Sequence, residues 1–343
     1  MIEIGIIGCG AMGRHHGEAY RQMENVHVAG VADLVEVQAK RLAADLDTRP
    51  YADFRDMLPD VEAVVVCTPS FQRVDVVTEC ARAGKHIFSE KPLALTLNDA
   101  DRILGAVEAA GVKFMTGYVL RFTQPYNVLC ETFNSGELGR LITCWTRRYM
   151  PCPLSILERW YGDQDKSGGV AIDFASHDID LLRWIGGDAR TVFAHVARVR
   201  PGVRADEHAQ ALFTFQNGGM GTIDVSWSSW LDETSLGVIG SQGSMIVDRS
   251  GAVRKKIGDG KEEIVECASS MSVTPSGDLG AKDEEGHIRA LASSEETIQE
   301  HFIRCIEEDL EPKTNGPDAR GILETALAIQ ESARTGKSVD LAG

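Results

Sequence analysis

An apolar run, Ile2–Ile7, leads straight into Gly8-Cys9-Gly10-Ala11-Met12-Gly13, and a helical pattern then continues to about Met23. A second strand-like stretch, Val26–Ala32, ends in Asp33, which lies 20 residues past the last of these glycines. No other feature restricts the fold as much. A Gly-x-Gly-x-x-Gly alone is weak. Between a strand and a helix, with an acid closing the next strand, it is the fingerprint of a dinucleotide-binding βαβ unit. The first glycine permits the tight turn, the second lets a pyrophosphate approach the backbone, and the third lets helix and strand pack closely. The helix N-terminus adds N–H donors and a positive dipole end, so Gly8, Gly10, Ala11, Met12 and Gly13 are the expected phosphate cradle. Asp33 is expected to accept hydrogen bonds from both ribose hydroxyls and to repel a 2′-phosphate. Leu34-Val35 follow where a phosphate binder would want Arg or Ser. NAD is therefore expected over NADP. The alternative is a glycine-rich turn with no ligand.

The alternation continues. Strands are expected at 61–67, 85–88 and 112–116, with helices at about 74–83 and 98–110. Buried, β-branched strands alternating with helices imply a doubly wound parallel sheet covered on both faces. Ligands of such sheets lie beyond the carboxyl ends of the strands. Thr68-Pro69, Glu90-Lys91-Pro92 and Gly117-Tyr118 fall there, beside the glycine loop. Pro92 fixes the chain just past its strand. Lys91 would point toward the nicotinamide end of the cleft, where a desolvated ammonium can polarise a hydroxyl or stabilise an alkoxide. A surface lysine paired with Glu90 is the plain alternative.

Past residue 122 the pattern changes. A helix is expected at about 126–135, a strand at 140–149, and strands at 191–199, 208–215, 219–227, 235–239, 244–248 and 252–257. Turns such as Asn217-Gly218-Gly219 make adjacent strands antiparallel. The expected second domain is α+β, with a large open, mostly antiparallel sheet carrying helices on one face. Its other face needs cover, which points to a homodimer or homotetramer joined through that sheet. Residues 269–294 are polar and read as a mobile loop, and two helices, at about 295–310 and 318–335, close the chain. The two domains are then 1–122 and 123–343.

Within the second domain, Gly168-Gly169 opens a helix-like segment in which Asp173 and His177 lie four positions apart. At that spacing they share a helix face, where an imidazole and a carboxylate make a general base with an orienting partner. Most neighbouring positions are apolar, so the helix packs into a core and its polar groups line a cavity or an interface. A capped helix with a structural histidine is the alternative.

The net charge of −16 argues against a nucleic-acid surface. No stretch is long enough to span a bilayer, and the N-terminus has no secretory pattern. The eight cysteines are scattered without Cys-x-x-Cys, which fits reduced thiols in a cytoplasm. No metal-ligand cluster is visible, so hydride chemistry without a catalytic metal is expected.

With these motifs together, the chain resembles the glucose–fructose oxidoreductase / inositol dehydrogenase (Gfo/Idh/MocA) family along nearly its whole length. The resemblance rests on the glycine fingerprint, Thr68-Pro69, Ala83-Gly84-Lys85-His86 leading to Glu90-Lys91-Pro92, and Gly117-Tyr118 with Arg121-Phe122. It also rests on Gly168-Gly169 with Asp173, His177 and Asp180, and on the late segments 240–244 and 328–333. Their pairing of Glu-Lys-Pro with the Gly-Gly…Asp…His motif is the specific part. The resemblance implies an NAD-dependent sugar or cyclic-polyol oxidoreductase, inositol-like in substrate. In it His177 takes the substrate's hydroxyl proton, Asp173 orients substrate and base, and Lys91 stabilises charge on oxygen. It implies cofactor contacts from Thr68, Pro69, Glu90 and Lys91 as well. Tyr118, Arg121, Trp160 and Tyr161 are candidate substrate contacts, and Asp180 reads as a brace. Residues 151–162 and 227–234 are expected to set specificity. The family often has Asn and His where this chain has Ser70 and Arg73, which touches the cofactor side. Two other classes stay open: a relative that cycles tightly held NAD through oxidation and elimination, and a non-catalytic NAD- or sugar-responsive regulator.

Overall fold

The computed structural model describes residues 1–265, 267, 281–282, 288–289 and 296–341. In chain order the first ten elements are β1 (Ile2–Ile7), α1 (Ala11–Arg21), β2 (Val26–Ala32), α2 (Glu36–Leu46), β3 (Arg49–Tyr51), β4 (Ala63–Val66), α3 (Arg73–Arg82), β5 (His86–Ser89), α4 (Leu97–Ala110) and β6 (Phe114–Thr116). Then come α5 (Gln124–Asn134), β7 (Leu141–Tyr149), the short α6 (Leu154–Leu157) and α7 (Gln164–Ser167), α8 (Ser176–Gly186), β8 (Ala189–Ala197), β9 (His208–Phe215) and β10 (Met220–Ser226). The chain continues through β11 (Glu233–Gly240), β12 (Gly243–Val247), β13 (Val253–Ile257), β14 (Glu263–Val265), β15 (Ala281–Lys282) and β16 (Ile288–Arg289). It ends with α9 (Ile298–Glu307), α10 (Gly316–Thr335) and β17 (Val339–Asp340). By contacts these fall into two units, Met1–Tyr118 with Glu296–Arg320, and Val119–Glu295 with Gly321–Gly343. The first unit therefore adds a late segment, 296–320, to the N-terminal part of the sequence.

The first unit is a six-stranded sheet in the order β3-β2-β1-β4-β5-β6, parallel at every pair. The order reverses between β1 and β4, the switch point where such sheets take their ligands. Ile4, Ile6 and all of Ala63, Val64, Val65 and Val66 are 0 % exposed. Burial on both faces is why these strands read as apolar runs. Two elements between residues 34 and 60 escaped the sequence reading. Helix α2 buries Ala39, Leu42, Ala43 and Leu46, the stripe a 3.6-residue period requires. Strand β3 is a three-residue edge strand containing Pro50, tolerated there because an edge leaves one N–H side unused.

The second unit is a nine-stranded sheet, β14-β13-β12-β11-β7-β10-β9-β8-β17. Every pair is antiparallel except β7 with β10. A long connection through α8, β8 and β9 separates those two strands, as a parallel pair demands. Val192, Phe213, Gly221, Cys144, Val238 and Met245 lie in register across six strands. They form the inner face, against which α5 and α8 pack.

The loop expected over 269–294 lies outside the described residues, apart from 281–282 and 288–289, which pair as the antiparallel β15 and β16. No described helix is long and apolar enough to cross a membrane.

Candidate active site

The glycine loop is shaped by contact. Gly8 has φ +97°, and a Cβ there would stand 2.8 Å from the Cys67 carbonyl carbon and 2.9 Å from the Thr68 nitrogen. The turn therefore presses on the end of β4, and only glycine fits in that conformation. At Gly13 a Cβ would come within 2.0 Å of the Gly8 carbonyl oxygen, so α1 can start this close to the turn only without a side chain. Gly10 differs: nothing lies within 4 Å of its virtual Cβ. That open approach at a helix N-terminus fits a pyrophosphate.

Asp33, just past β2, closes the loop from the other side. Its Oδ2 accepts from the Cys9 N–H at 2.7 Å, and its Oδ1 from the Val35 N–H at 2.7 Å. Burial, then the Asp33 charge, push the Cys9 thiol up to about 12, so it is inert as a nucleophile. At the end of β4, Thr68 Oγ1 and Ser70 Oγ find no hydrogen-bond partner among the described residues. Buried hydroxyls of this kind are normally satisfied by a neighbouring group, and a dinucleotide offers several. Glycine turn, carboxylate and hydroxyls together suit the cofactor expected from the sequence.

Glu90 and Lys91 follow β5. Glu90 is 8 % exposed. Its Oε1 pairs with His16 Nε2 at 2.9 Å, and its Oε2 accepts from the Lys91 backbone N–H at 3.1 Å. Gln299, on α9, places its amide nitrogen 3.0 Å from His16 Nδ1. Burial pushes the Glu90 carboxyl up, but the His16 hydrogen bond and the His16, Lys91 and Arg73 charges outweigh it and hold it below the usual range. The sequence reading missed His16 and Gln299. Arg73, where the family often has His, is 3 % exposed. It donates to the Thr68 carbonyl at 2.7 Å and to the Pro92 carbonyl, tying two cofactor-side loops together. Tyr118, just past β6, is 1 % exposed.

In the second unit, Gly168 and Gly169 have φ +76° and +67°. A Cβ on Gly169 would come within 2.6 Å of Gln164 Oε1. Two successive left-handed residues turn the chain sharply into the segment that carries Asp173 and His177. The continuous α-helix expected there is corrected by the structure. Val170–Phe174 is a π-helical turn, and α8 begins only at Ser176. The Ala175 N–H reaches back five residues to the Val170 carbonyl at 2.8 Å, while the Ile179 N–H reaches back four, to Ala175, at 2.8 Å. The extra residue in the turn shifts Asp173 from its regular place above His177. Both side chains are 6 % exposed.

Arg148, on the inner face of β7, holds this turn. It donates to the Phe174 carbonyl and to Asp178 Oδ2 at 3.1 and 2.5 Å. Its guanidinium lies 3.8 Å from the centre of the Phe174 ring. Arg148 is 8 % and Asp178 2 % exposed, so the pair is stable only because each charge meets the other. Neither was marked by the sequence reading.

Arg121 grips Asp180, 0 % exposed, through Nε at 2.9 and 3.1 Å and Nη2 at 2.6 Å. This bidentate pair joins the segment before α5 to α8, as the bracing reading of Asp180 expected. Trp160 and Tyr161 stack with ring centres 3.9 Å apart and keep part of their surface exposed.

Comparison with known proteins gives the family and the fold. Residues 2–118 match the family model described as an oxidoreductase family with an NAD-binding Rossmann fold, and residues 126–246 match the GFO/IDH/MocA C-terminal domain. The chain is 26 % identical to the myo-inositol 2-dehydrogenase of Thermotoga maritima, over 99 % of this chain and 98 % of that one. It is 25 % identical to the scyllo-inositol 2-dehydrogenase (NAD(+)) of Bacillus subtilis, over 99 % and 96 %. In fold it resembles an Agrobacterium radiobacter oxidoreductase crystallised with NAD+, L-tartaric acid and magnesium, with TM-score 0.86, 21 % identity, and 99 % and 98 % coverage. The first unit is an NAD-binding Rossmann domain.

Proposed function

Since the chain belongs to the Gfo/Idh/MocA oxidoreductases, we propose that it moves a hydride between NAD and a secondary alcohol of a sugar or cyclic polyol, inositol-like in shape. One observation carries this reading: Asp173, on the π turn launched by two left-handed glycines, and His177, in the first turn of the α8 that follows, are each 6 % exposed. Ionisable groups kept at such an irregular, buried place are costly unless used. The inositol dehydrogenases among the relatives support the substrate class.

When bound, the nicotinamide ring supplies the hydride acceptor. His177 takes the hydroxyl proton as the carbinol carbon gives up its hydride, leaving a ketone, and returns the proton in the reverse direction. Asp173 orients the imidazole and the substrate. The Lys91 ammonium stabilises negative charge gathering on the oxygen. Gly8, Gly10, Ala11, Met12 and Gly13 would hold the pyrophosphate by their backbone, and Asp33 would hold the adenosine ribose and select NAD over NADP. Thr68, Pro69 and Glu90 line the cofactor's other end. Trp160 and Tyr161 offer ring faces to sugar carbons, with Tyr118 and Arg121 as further contacts. We place copies of the chain together through the outer face of the second unit's sheet. The eight free, dispersed thiols support a reducing compartment such as the cytoplasm.

The test is direct. Purified protein offered a polyol panel should reduce NAD, and His177→Asn should lower kcat by about 10²–10⁴ while NADH affinity stays unchanged. If dinucleotide affinity falls instead, His177 is not the base.

A further inference from the structure

Besides the Arg148–Asp178 and Arg121–Asp180 pairs, the second unit holds a charged pair, Arg200 and Glu207, with an unusual set of partners. Arg200 follows β8, and Glu207 immediately precedes β9. Glu207 is 0 % exposed. Its Oε2 accepts from the N–H groups of Val199 and Arg200 at 2.9 and 2.7 Å, and its Oε1 accepts from Arg200 Nε. The rest of the guanidinium faces away from the carboxylate. Nη1 donates to the Cys152 carbonyl at 2.6 Å and Nη2 to the Trp227 carbonyl at 3.0 Å. The backbone closes the same knot, with Cys152 N–H to Trp227 O at 2.9 Å and Trp227 N–H to Glu207 O at 2.8 Å.

Three chain segments thus meet at one planar cation: the loop after β7, the loop between β8 and β9, and the start of the loop between β10 and β11. A guanidinium can address two carbonyls and a carboxylate in fixed directions, which an ammonium cannot. The knot also touches the turn that carries the proposed chemistry. The Trp227 ring lies 6.1 Å from the ring of Phe174, the residue after Asp173. Burial raises the Cys152 thiol to about 11, with Arg200 opposing the rise and Asp173 and Glu207 adding to it.

We propose that Arg200, held in place by Glu207, is a positioning residue for substrate: it locks the Cys152 and Trp227 loops together beside Phe174, the neighbour of Asp173, and so fixes the walls that select the polyol. This rests on the dehydrogenase reading, and the experiment separates the two.

Arg200→Gln should raise KM for an accepted polyol by about tenfold or more, with kcat within about threefold and NADH affinity unchanged. Hydrogen exchange should show the backbone amides of Met150, Cys152 and residues 227–231 losing protection together. Arg200→Lys, which keeps the charge beside Glu207 but not the fork, should recover part of the KM and is the variant to use if the glutamine form does not fold. Unchanged exchange in both loops, or an unchanged KM with only a lowered melting temperature, overturns the proposal. Wild-type protein that turns over no polyol or sugar overturns the dehydrogenase reading instead. Exchange does not depend on turnover and still decides whether Arg200 holds the two loops.

Discussion

Asp33 combines two demands in one carboxylate. Toward the protein it accepts from the Cys9 and Val35 N–H groups at 2.7 Å each, which fixes the glycine turn. In the proposed role it also offers its remaining lone pairs to ribose hydroxyls and its charge against a 2′-phosphate. Asp33→Asn separates the two roles. The shape is kept, but an amide NH2 must now face one of those two N–H groups, and a donor left unpaired costs about 1–3 kcal/mol. The charge is lost as well, and with it the charge-assisted bonds to the ribose. We expect NAD binding to weaken by about tenfold to a hundredfold while NADP binding improves. Fluorescence titrations with NADH and NADPH read both constants. If their ratio does not move, the carboxylate serves the turn alone and cofactor choice is made elsewhere.

The π turn shows what a single element needs from distant residues. Arg148 gives up its hydration to hold the Phe174 carbonyl and the Asp178 carboxylate, 26 and 30 positions away. Arg148→Met strands the Asp178 charge in a site only 2 % exposed, a loss of about 3–5 kcal/mol by urea unfolding. Adding Asp178→Leu removes the stranded charge, so the double variant should regain most of that stability. It should not regain activity, because nothing then holds the turn, and kcat should stay at least about tenfold low. A double variant as active as wild type would make the clamp a matter of stability alone. The same contacts explain what the sequence could and could not reveal. The β1–glycine–α1–β2 unit was legible because its constraints are local: a buried strand, a turn and a helix start within 33 residues. The Asp173–His177 spacing was legible too. Its π geometry was not, since a helical period is blind to an arginine on a strand. Nor could any period link His16 to Glu90, 74 positions on, or to Gln299, 283 positions on. Helix α2 did carry its stripe, and there the signal was present but unread.

For the whole molecule, the nine-stranded sheet poses the remaining question. Beside its buried inner row runs a second registered row: Phe193, Leu212, Thr222, Trp145, Gly237 and Ile246, across β8, β9, β10, β7, β11 and β12. Leu212 is 57 % exposed, as is Met220 on the same face at 52 %. The Trp145 ring covers Gly237, where a Cβ would come within 2.0 Å of it, and these side chains give the face an apolar patch. Such a patch suits a second copy of itself, and a two-fold axis would bury each of its residues twice. Burying one leucine contributes about 1.5–3 kcal/mol, and Leu212→Asp would replace that gain, in both copies, with a carboxylate that must lose its water. We expect the association constant to fall by about 10³ or more, so light scattering at micromolar concentration should report the mass of single chains, with circular dichroism unchanged. Salt supplies an independent check. Two copies each carrying −16 repel, and screening weakens that repulsion without weakening the apolar contact. Association of the wild-type protein should therefore strengthen as ionic strength rises. If it weakens with salt, or if Leu212→Asp assembles like wild type, then a polar surface elsewhere joins the copies and this sheet face faces water.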